Sequence, residues 1–308
     1  MHIAVCFACD EIHFPLCKGL VLSIKETLRF LPPAWVVSLN CIDTGCSESN
    51  LAFFADQAIA VHAFPRKKFL PGIDSTQIPQ HMDARLCRPF LPAIVQGQDM
   101  YIWISNDIWV QGQDALTVIV DAAARIAGKI LICPEKHYGY INAVNPRDAV
   151  MARVDCYTAL YGKAVAEDLS FRPMFATNLF ALETSSLVWN KWADEIVRLY
   201  AVERGENSSV LLLAEQFALN YILYRDKAFI PLDPLFNYDC SNSAVFLNPQ
   251  GKVLVGFPPF TPLKCVHLSQ FSRHGQTYLD KKLLYREGEY LANTERAMLE
   301  ALLKQPTS

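Results

Sequence analysis

The chain has little charge, no long apolar run and almost no basic clustering, and each shortage narrows its function. Charged residues are 19% of the 308, with a net charge of -3, and Arg66-Lys67-Lys68 is the one basic block. A nucleic-acid surface rests on many clustered Lys and Arg contacts to phosphate. No nucleic-acid partner is therefore expected. No stretch reaches the roughly 18 apolar residues of a membrane-crossing helix. The start, Met1-His2-Ile3-Ala4-Val5, lacks a basic segment and a cleavage pattern, and Asp10-Glu11 soon follow. It does not read as a signal peptide, so the expected location is cytoplasmic. Repeats and low-complexity linkers are also absent, which favours one continuous domain.

Cysteine is not scarce, with ten spread along the chain. Cys6-x-x-Cys9 has redox or zinc spacing, but no second such pair exists to complete a site. On a strand, residues three apart point to opposite faces. Buried free thiols are expected instead.

What is present is apolar: 52% of residues are hydrophobic, enough for a sizeable core. The pattern predicts strands over Ile3–Ala8, Trp35–Cys41, Ala58–Phe64, Met100–Val110, Lys129–Cys133 and Phe175–Glu183. It predicts helices over Cys17–Phe30, Ala84–Val95, Ala115–Ala127, Ala214–Tyr224 and Glu289–Lys304. Ser47 is the expected N-cap of a further helix. Thr184-Ser185-Ser186 caps a long amphipathic helix running to about Val202. Arg66 to Gln80 reads as irregular, and Pro89 and Pro92 threaten the helix they lie in. Strands alternating with helices give an α/β class with a mostly parallel sheet.

Met100-Tyr101-Ile102-Trp103-Ile104 is a strand buried on both faces, broken by Ser105-Asn106-Asp107 before Ile108-Trp109-Val110. A polar break at a strand's carboxyl end is where open α/β sheets place ligands. In isolation it reads more readily as a tight turn. Other segments, in chain order, shift that reading. They are Phe7-Ala8-Cys9-Asp10-Glu11-Ile12-His13, Asp43-Thr44-Gly45-Cys46-Ser47, Ala84-Arg85-Leu86, Ala176-Thr177-Asn178-Leu179, Glu215-Gln216, and His267 with Arg273. Together with the Ser-Asn-Asp break, this set resembles the GT-A glycosyltransferases of the family 8 group, which includes bacterial lipopolysaccharide galactosyltransferases and glycogenin. The resemblance covers about residues 2 to 275. It implies a GT-A fold: a Rossmann-like sheet with a mixed edge, as a transferase domain over 1–275 with a helical appendage over 276–308.

The resemblance also implies a chemistry. A hexose would pass from a UDP-sugar donor to a saccharide or glycoconjugate acceptor with retention of configuration, as in lipopolysaccharide or other glycan synthesis. Ala8, Asp10, Glu11, His13, Arg85, Ser105, Asn106, Asp107, Asn178 and Arg273 match positions around the nucleotide and donor. Asp107 and His267 match metal ligands, with manganese favoured over magnesium because an imidazole is present. Gln216 matches the residue beneath the anomeric carbon, and Glu215 one that binds sugar hydroxyls.

Several positions depart from the family pattern. Ser105 replaces the first carboxylate of Asp-x-Asp, which implies weaker metal dependence. Ile12 replaces an Asn, His13 a stacking Tyr, Gln270 a Gly, and His274-Gly275 a Pro-Trp. These changes keep open a second reading, a catalytically inactive GT-A domain that binds sugar nucleotide or glycan. A nucleotidyltransferase is disfavoured, because Asp10 to Leu16 has neither Gly nor Arg. Arg85 and Arg88 could each simply face solvent from a helix. The mixed charge of the last segment favours packing on the domain over peripheral membrane contact. The sequence assigns no oligomeric state.

Overall fold

The computed structural model describes residues 1–71, 78–135, 137, 146–201, 208–240, 245–248 and 252–268. The elements run β1 (His2–Cys9), α1 (Phe14–Leu28), β2 (Val36–Asp43), α2 (Glu48–Asp56), β3 (Ala60–Ala63), α3 (Arg66–Phe69), α4 (Asp83–Leu86), α5 (Leu91–Ile94), β4 (Met100–Ile104), β5 (Ile108–Val110) and α6 (Ala115–Ala123). They continue through β6 (Ile130–Pro134), α7 (Pro146–Tyr161), α8 (Lys163–Leu169), β7 (Phe175–Glu183), α9 (Val188–Ala201), α10 (Ala214–Asp226), β8 (Phe229–Pro231), β9 (Tyr238–Asp239), β10 (Val245–Leu247), β11 (Val253–Val255) and β12 (Cys265–His267).

One seven-stranded sheet in the order β3-β2-β1-β4-β7-β6-β8 forms the centre. β1 divides its side chains strictly by parity. Ala4, Cys6 and Ala8 join the core beneath α7 to α10, whereas Ile3, Val5, Phe7 and Cys9 join the core beneath α1, α2 and α6. That is the two-residue period of a strand covered on both faces. Cys6 and Cys9 thus lie on opposite sides. All ten cysteines are free, and only Cys46 and Cys156 are partly exposed.

Strands β3, β2, β1 and β4 are parallel, and β7 is antiparallel to both β4 and β6. The reversed strand therefore lies inside the sheet, not at the edge where the sequence suggested it. This inversion brings the first residues of β7 to the same end as the last residues of β1, β4 and β6. A three-stranded sheet, β5-β12-β9, sits beside that end. β12 runs antiparallel to β5 with His267 opposite Ile108.

The expected helix over 84–95 is broken into α4, a 3-10 turn at Arg88–Phe90, and α5. Pro89 and Pro92 remove the amide donors a continuous helix would need. One helical turn, α3, forms within the segment read as irregular, and Arg66 on it pairs with Asp83 at 2.7 Å. The helix expected over 115–127 ends at Ala123. α7 and α8 form where the sequence pattern predicts neither helix nor strand. Ser47 does cap α2 by position, but its side chain makes no capping bond. Gln270, Arg273, His274-Gly275 and the segment 276–308, with the helix expected over Glu289–Lys304, lie outside the described residues. Among the described residues no helix is long and apolar enough to cross a membrane.

Candidate active site

The site is assembled at the carboxyl end of β4. Ile104 pairs with Leu179 across the antiparallel ladder, so Ser105 N–H donates to the Asn178 carbonyl at 2.8 Å. The chain then turns through Asn106 and Asp107 into β5. Asn106 donates its amide to the Ala8 carbonyl at 2.9 Å, which ties the turn to the end of β1. Asp107 and His267 come together because β5 and β12 pair. His267 Nε2 lies 3.4 Å from Asp107 Oδ2 and 2.8 Å from Asn178 Nδ2. His267 is buried, and Asp107 Oδ1 is buried without a hydrogen-bond partner among the described residues. Burial by itself would pull the His267 pKa down and push the Asp107 pKa up. Their mutual attraction outweighs both effects, so His267 is raised and Asp107 lowered from their usual values.

A buried carboxylate oxygen with no partner calls for a ligand or water. A carboxylate beside an imidazole is a donor set for a divalent transition metal. Among the described residues no group of three or more His, Cys, Asp or Glu side chains could hold such an ion. Asp107 and His267 supply two such donors, and a cation held there would need the rest of its shell from substrate and water.

A second cluster lies on the other side of β7. Arg88 Nη1 donates to Thr177 Oγ1 at 2.5 Å and to Glu215 Oε2 at 3.1 Å, and Nη2 reaches Ser105 Oγ at 3.4 Å. Thr177 Oγ1 also donates to Glu215 Oε2 at 3.1 Å. The guanidinium lies over the Trp103 ring, 5.1 Å from its centroid. Among the described residues, Arg88 Nε and Glu215 Oε1 are buried without hydrogen-bond partners. Burial raises the Glu215 pKa above its usual value, although Arg88 opposes it. The hydroxyl that replaces the first carboxylate of Asp-x-Asp thus faces an arginine.

Gln216 follows Glu215 in the first turn of α10. Its Nε2 donates to Glu135 Oε1 and, at 3.1 Å, to the Phe175 carbonyl. Glu135 pairs with Arg153 of α7 at 3.3 Å.

The β1–α1 loop forms the adjoining wall. Asp10 Oδ1 accepts from the His13 amide at 2.8 Å and meets His13 Nδ1 at 2.7 Å. Burial pushes the Asp10 carboxyl up, but these His13 contacts overcome it and hold the pKa below the usual value. Ile12 is 82% exposed in the same loop.

Two expected positions make their side-chain bonds to neighbouring elements. Glu11 turns to the start of α2, where Oε2 accepts from the Ser47 amide at 3.0 Å and the Asn50 side chain at 2.6 Å. Glu11 is drawn there because its backbone is fixed to Gly45 at 3.1 Å. Arg85 donates to the Leu212 carbonyl at 2.7 Å and lies near enough to Glu215 to help hold its pKa down. Arg88, three residues later, is the arginine whose guanidinium bonds Thr177, Glu215 and Ser105. The sequence signal was present, since Pro89 ends α4 and redirects the chain at Arg88. Thr177, Glu135 and Arg153 carried no such signal.

No family model matches the chain, and no curated protein matches it in sequence. Solved structures do match. The galactosyltransferase LgtC, in complex with donor and acceptor sugar analogs, aligns over 99% of this chain and 98% of its own with a TM-score of 0.55 at 13% identity. The chain has the GT-A glycosyltransferase fold. The bifunctional glycosyltransferase WbbM aligns over 99% of this chain with a TM-score of 0.53 at 11% identity, and the chain spans 50% of WbbM. Mouse xyloside xylosyltransferase 1 aligns over 89% of this chain and 99% of its own, with a TM-score of 0.51 at 14% identity. Within this GT-A fold, the Asp107–His267 and Arg88–Glu215 clusters lie at the carboxyl end of the parallel strands, where open α/β sheets bind ligands.

Proposed function

We propose that the protein transfers a hexose from a UDP-sugar to a saccharide or glycoconjugate acceptor with retention of configuration, in the synthesis of lipopolysaccharide or another glycan. The observation that carries this reading is the Asp107–His267 pair with its unpartnered buried oxygen, beside Glu215 and Gln216 at the ligand-binding end of a GT-A fold. A divalent cation, manganese before magnesium, held by Asp107 and His267 would neutralise the diphosphate leaving group as the glycosidic bond breaks. Asp10, His13 and the Ala8–Asn106 contact would bound the nucleotide. Glu215, through its free oxygen, and Arg88 would meet sugar hydroxyls. Gln216 is a poor nucleophile, so the acceptor hydroxyl would attack the anomeric carbon on the face the diphosphate leaves. The new glycosidic bond forms as the bond to phosphate breaks, and the hydroxyl proton passes to the departing UDP. Arg273 remains an expectation as a partner of the β-phosphate.

Two observations favour a second reading, sugar-nucleotide or glycan binding without turnover. Ser105 faces Arg88 in place of a metal-binding carboxylate, and Glu11 is bonded to α2. Calorimetric titration of UDP, with manganese and then with EDTA, tests the first. Binding on the order of micromolar is expected with manganese only. Asp107→Ala or His267→Ala should weaken it at least about tenfold. Equal binding in EDTA would remove the metal assignment, and no UDP binding in either condition would sink the donor assignment. UDP binding without hydrolysis or transfer of any UDP-hexose would select the second reading.

A further inference from the structure

We infer that Glu135, braced by Arg153, fixes the side-chain amide of Gln216 so that its carbonyl oxygen is the atom presented to the donor. This inference rests on the hexosyl-transfer reading and adds two positioning residues to it. An amide carries two donor hydrogens and one acceptor oxygen, and its two ends differ little in shape. Its partners therefore decide which end faces the substrate. Gln216 has two partners, the Glu135 carboxylate and the Phe175 backbone carbonyl, and both can only accept. Both donor hydrogens are then used, and the opposite orientation would set oxygen against oxygen. Gln216 Oε1 has no protein partner among the described residues.

The frame around this amide is rigid. The Phe175 peptide is held on both sides by Asn220, whose Oδ1 accepts from the Phe175 amide at 2.8 Å and whose Nδ2 donates to the Phe175 carbonyl at 2.9 Å. Asn220 Nδ2 also donates to the Gln216 backbone carbonyl at 2.9 Å, so strand and helix are locked together. Glu135 leaves β6 just after the register shift between Ile132 and Pro134, and its amide donates to the Met174 carbonyl at 2.8 Å. Such irregularities re-aim a side chain beside a site. Arg153 reaches Glu135 from α7 at 3.3 Å and balances its charge. An oriented carbonyl oxygen beside a carbon that gains positive charge would favour the transition state over the ground state.

The test is steady-state turnover of UDP-glucose and UDP-galactose, with side-chain NMR of protein labelled with 15N-glutamine. Glu135→Gln keeps the shape but can donate as well as accept, so it releases the orientation. Its kcat should fall about tenfold or more with donor KM within about threefold, the pattern for an interaction made in the transition state. Arg153→Met should lose part of that rate, and Arg153→Lys should restore it. Adding Glu135→Gln to Gln216→Ala should cost nothing further, because the group being oriented is gone. The Gln216 amide pair, identified by its absence in Gln216→Ala, should exchange slowly with solvent in the parent and faster in Glu135→Gln. Unchanged kcat in Glu135→Gln, additive losses in the double variant, or an unaltered amide pair would each overturn the inference. No turnover in the parent, with the NMR result as expected, would sink hexosyl transfer while supporting the orientation.

Discussion

Two acid–base pairs lie on opposite faces of a single strand, and they are built differently. Thr177 and Asn178 are neighbours on β7, so their side chains diverge, Thr177 to Glu215 and Asn178 to His267. Arg88 and Glu215 meet at 3.1 Å with side chains 7% and 2% exposed. His267 and Asp107 are 3.4 Å apart, and Asp107 is 19% exposed. The chemistry differs as much as the burial. A guanidinium keeps its proton at any pH a folded protein meets. Arg88 therefore needs Glu215 at all times. An imidazole can release its proton near neutrality. On the proposed metal binding, His267 would exchange Asp107's attraction for a cation, so the first pair would stay closed and the second would open.

The most severe way to break this contrast is Arg88→Met. It strands the Glu215 carboxyl in the core and should cost roughly 3–5 kcal/mol, the range for removing one partner of a buried pair. Arg88→Met with Glu215→Leu should recover most of that loss, because replacing both partners by apolar groups is near neutral. Urea denaturation reads both. A loss below about 1 kcal/mol for Arg88→Met would place the pair in the weak class of surface bridges.

The pH dependence of Glu215 sharpens the same contrast at intermediate size. Burial raises its pKa from the ordinary 4.5 despite Arg88. Between 4.5 and that raised value the folded chain binds more protons at this site than the unfolded chain does. Stability from Glu215 is thus fully present below 4.5 and is lost as pH rises through the folded value. Glu215→Gln does not titrate. Relative to that variant the parent should lose stability on going up through this window, by at most about 1.4 kcal/mol per unit of pKa difference. A flat difference between the two would mean that Arg88 cancels the whole burial penalty.

Much of this arrangement was legible in the sequence, and what was hidden has physical reasons. The β4 run, β7 and the Ser105-Asn106-Asp107 turn stand out because double-sided burial leaves apolar runs with abrupt polar ends. Asp107, Asn178 and His267 could be named from the chain, and the structure brings them together. The inversion of β7 was not legible, since a strand covered on both faces looks the same in either direction. Arg88 was missed because the expected helix runs on through Pro89, whereas the chain leaves it for a 3-10 turn at Arg88–Phe90 in which Arg88 is buried. Glu135 and Arg153 were hidden because α7 is only weakly patterned, and because their pairing depends on a register shift that no local signal marks.

The smallest effect is expected at the pair made to open. Asp107→Asn, measured in EDTA, should cost only about 1 kcal/mol near pH 6, the net scale of one ordinary hydrogen bond, because the pair is 3.4 Å apart. The cost is small because His267, deprived of its partner, gives up its proton where Arg88 cannot. The sign follows from two shifts. Burial pulls His267 down, but Asp107 outweighs it and raises the pKa above 6.5. That contribution is fully present below 6.5 and is lost as pH rises through the folded value. Asp107 is itself lowered below 3.8, so its contribution is lost as pH falls through its own folded value. The cost of Asp107→Asn should therefore fade on both sides of a plateau. The cost of Arg88→Met should not fade from neutral toward alkaline pH, because Arg88 keeps its proton and a buried Glu215 left without it becomes more costly as it ionises. Denaturation of both variants across that range decides it. An Asp107→Asn cost that stays undiminished at alkaline pH would mean that His267 does not release its proton, and that the site lacks the freedom to exchange that proton for a metal.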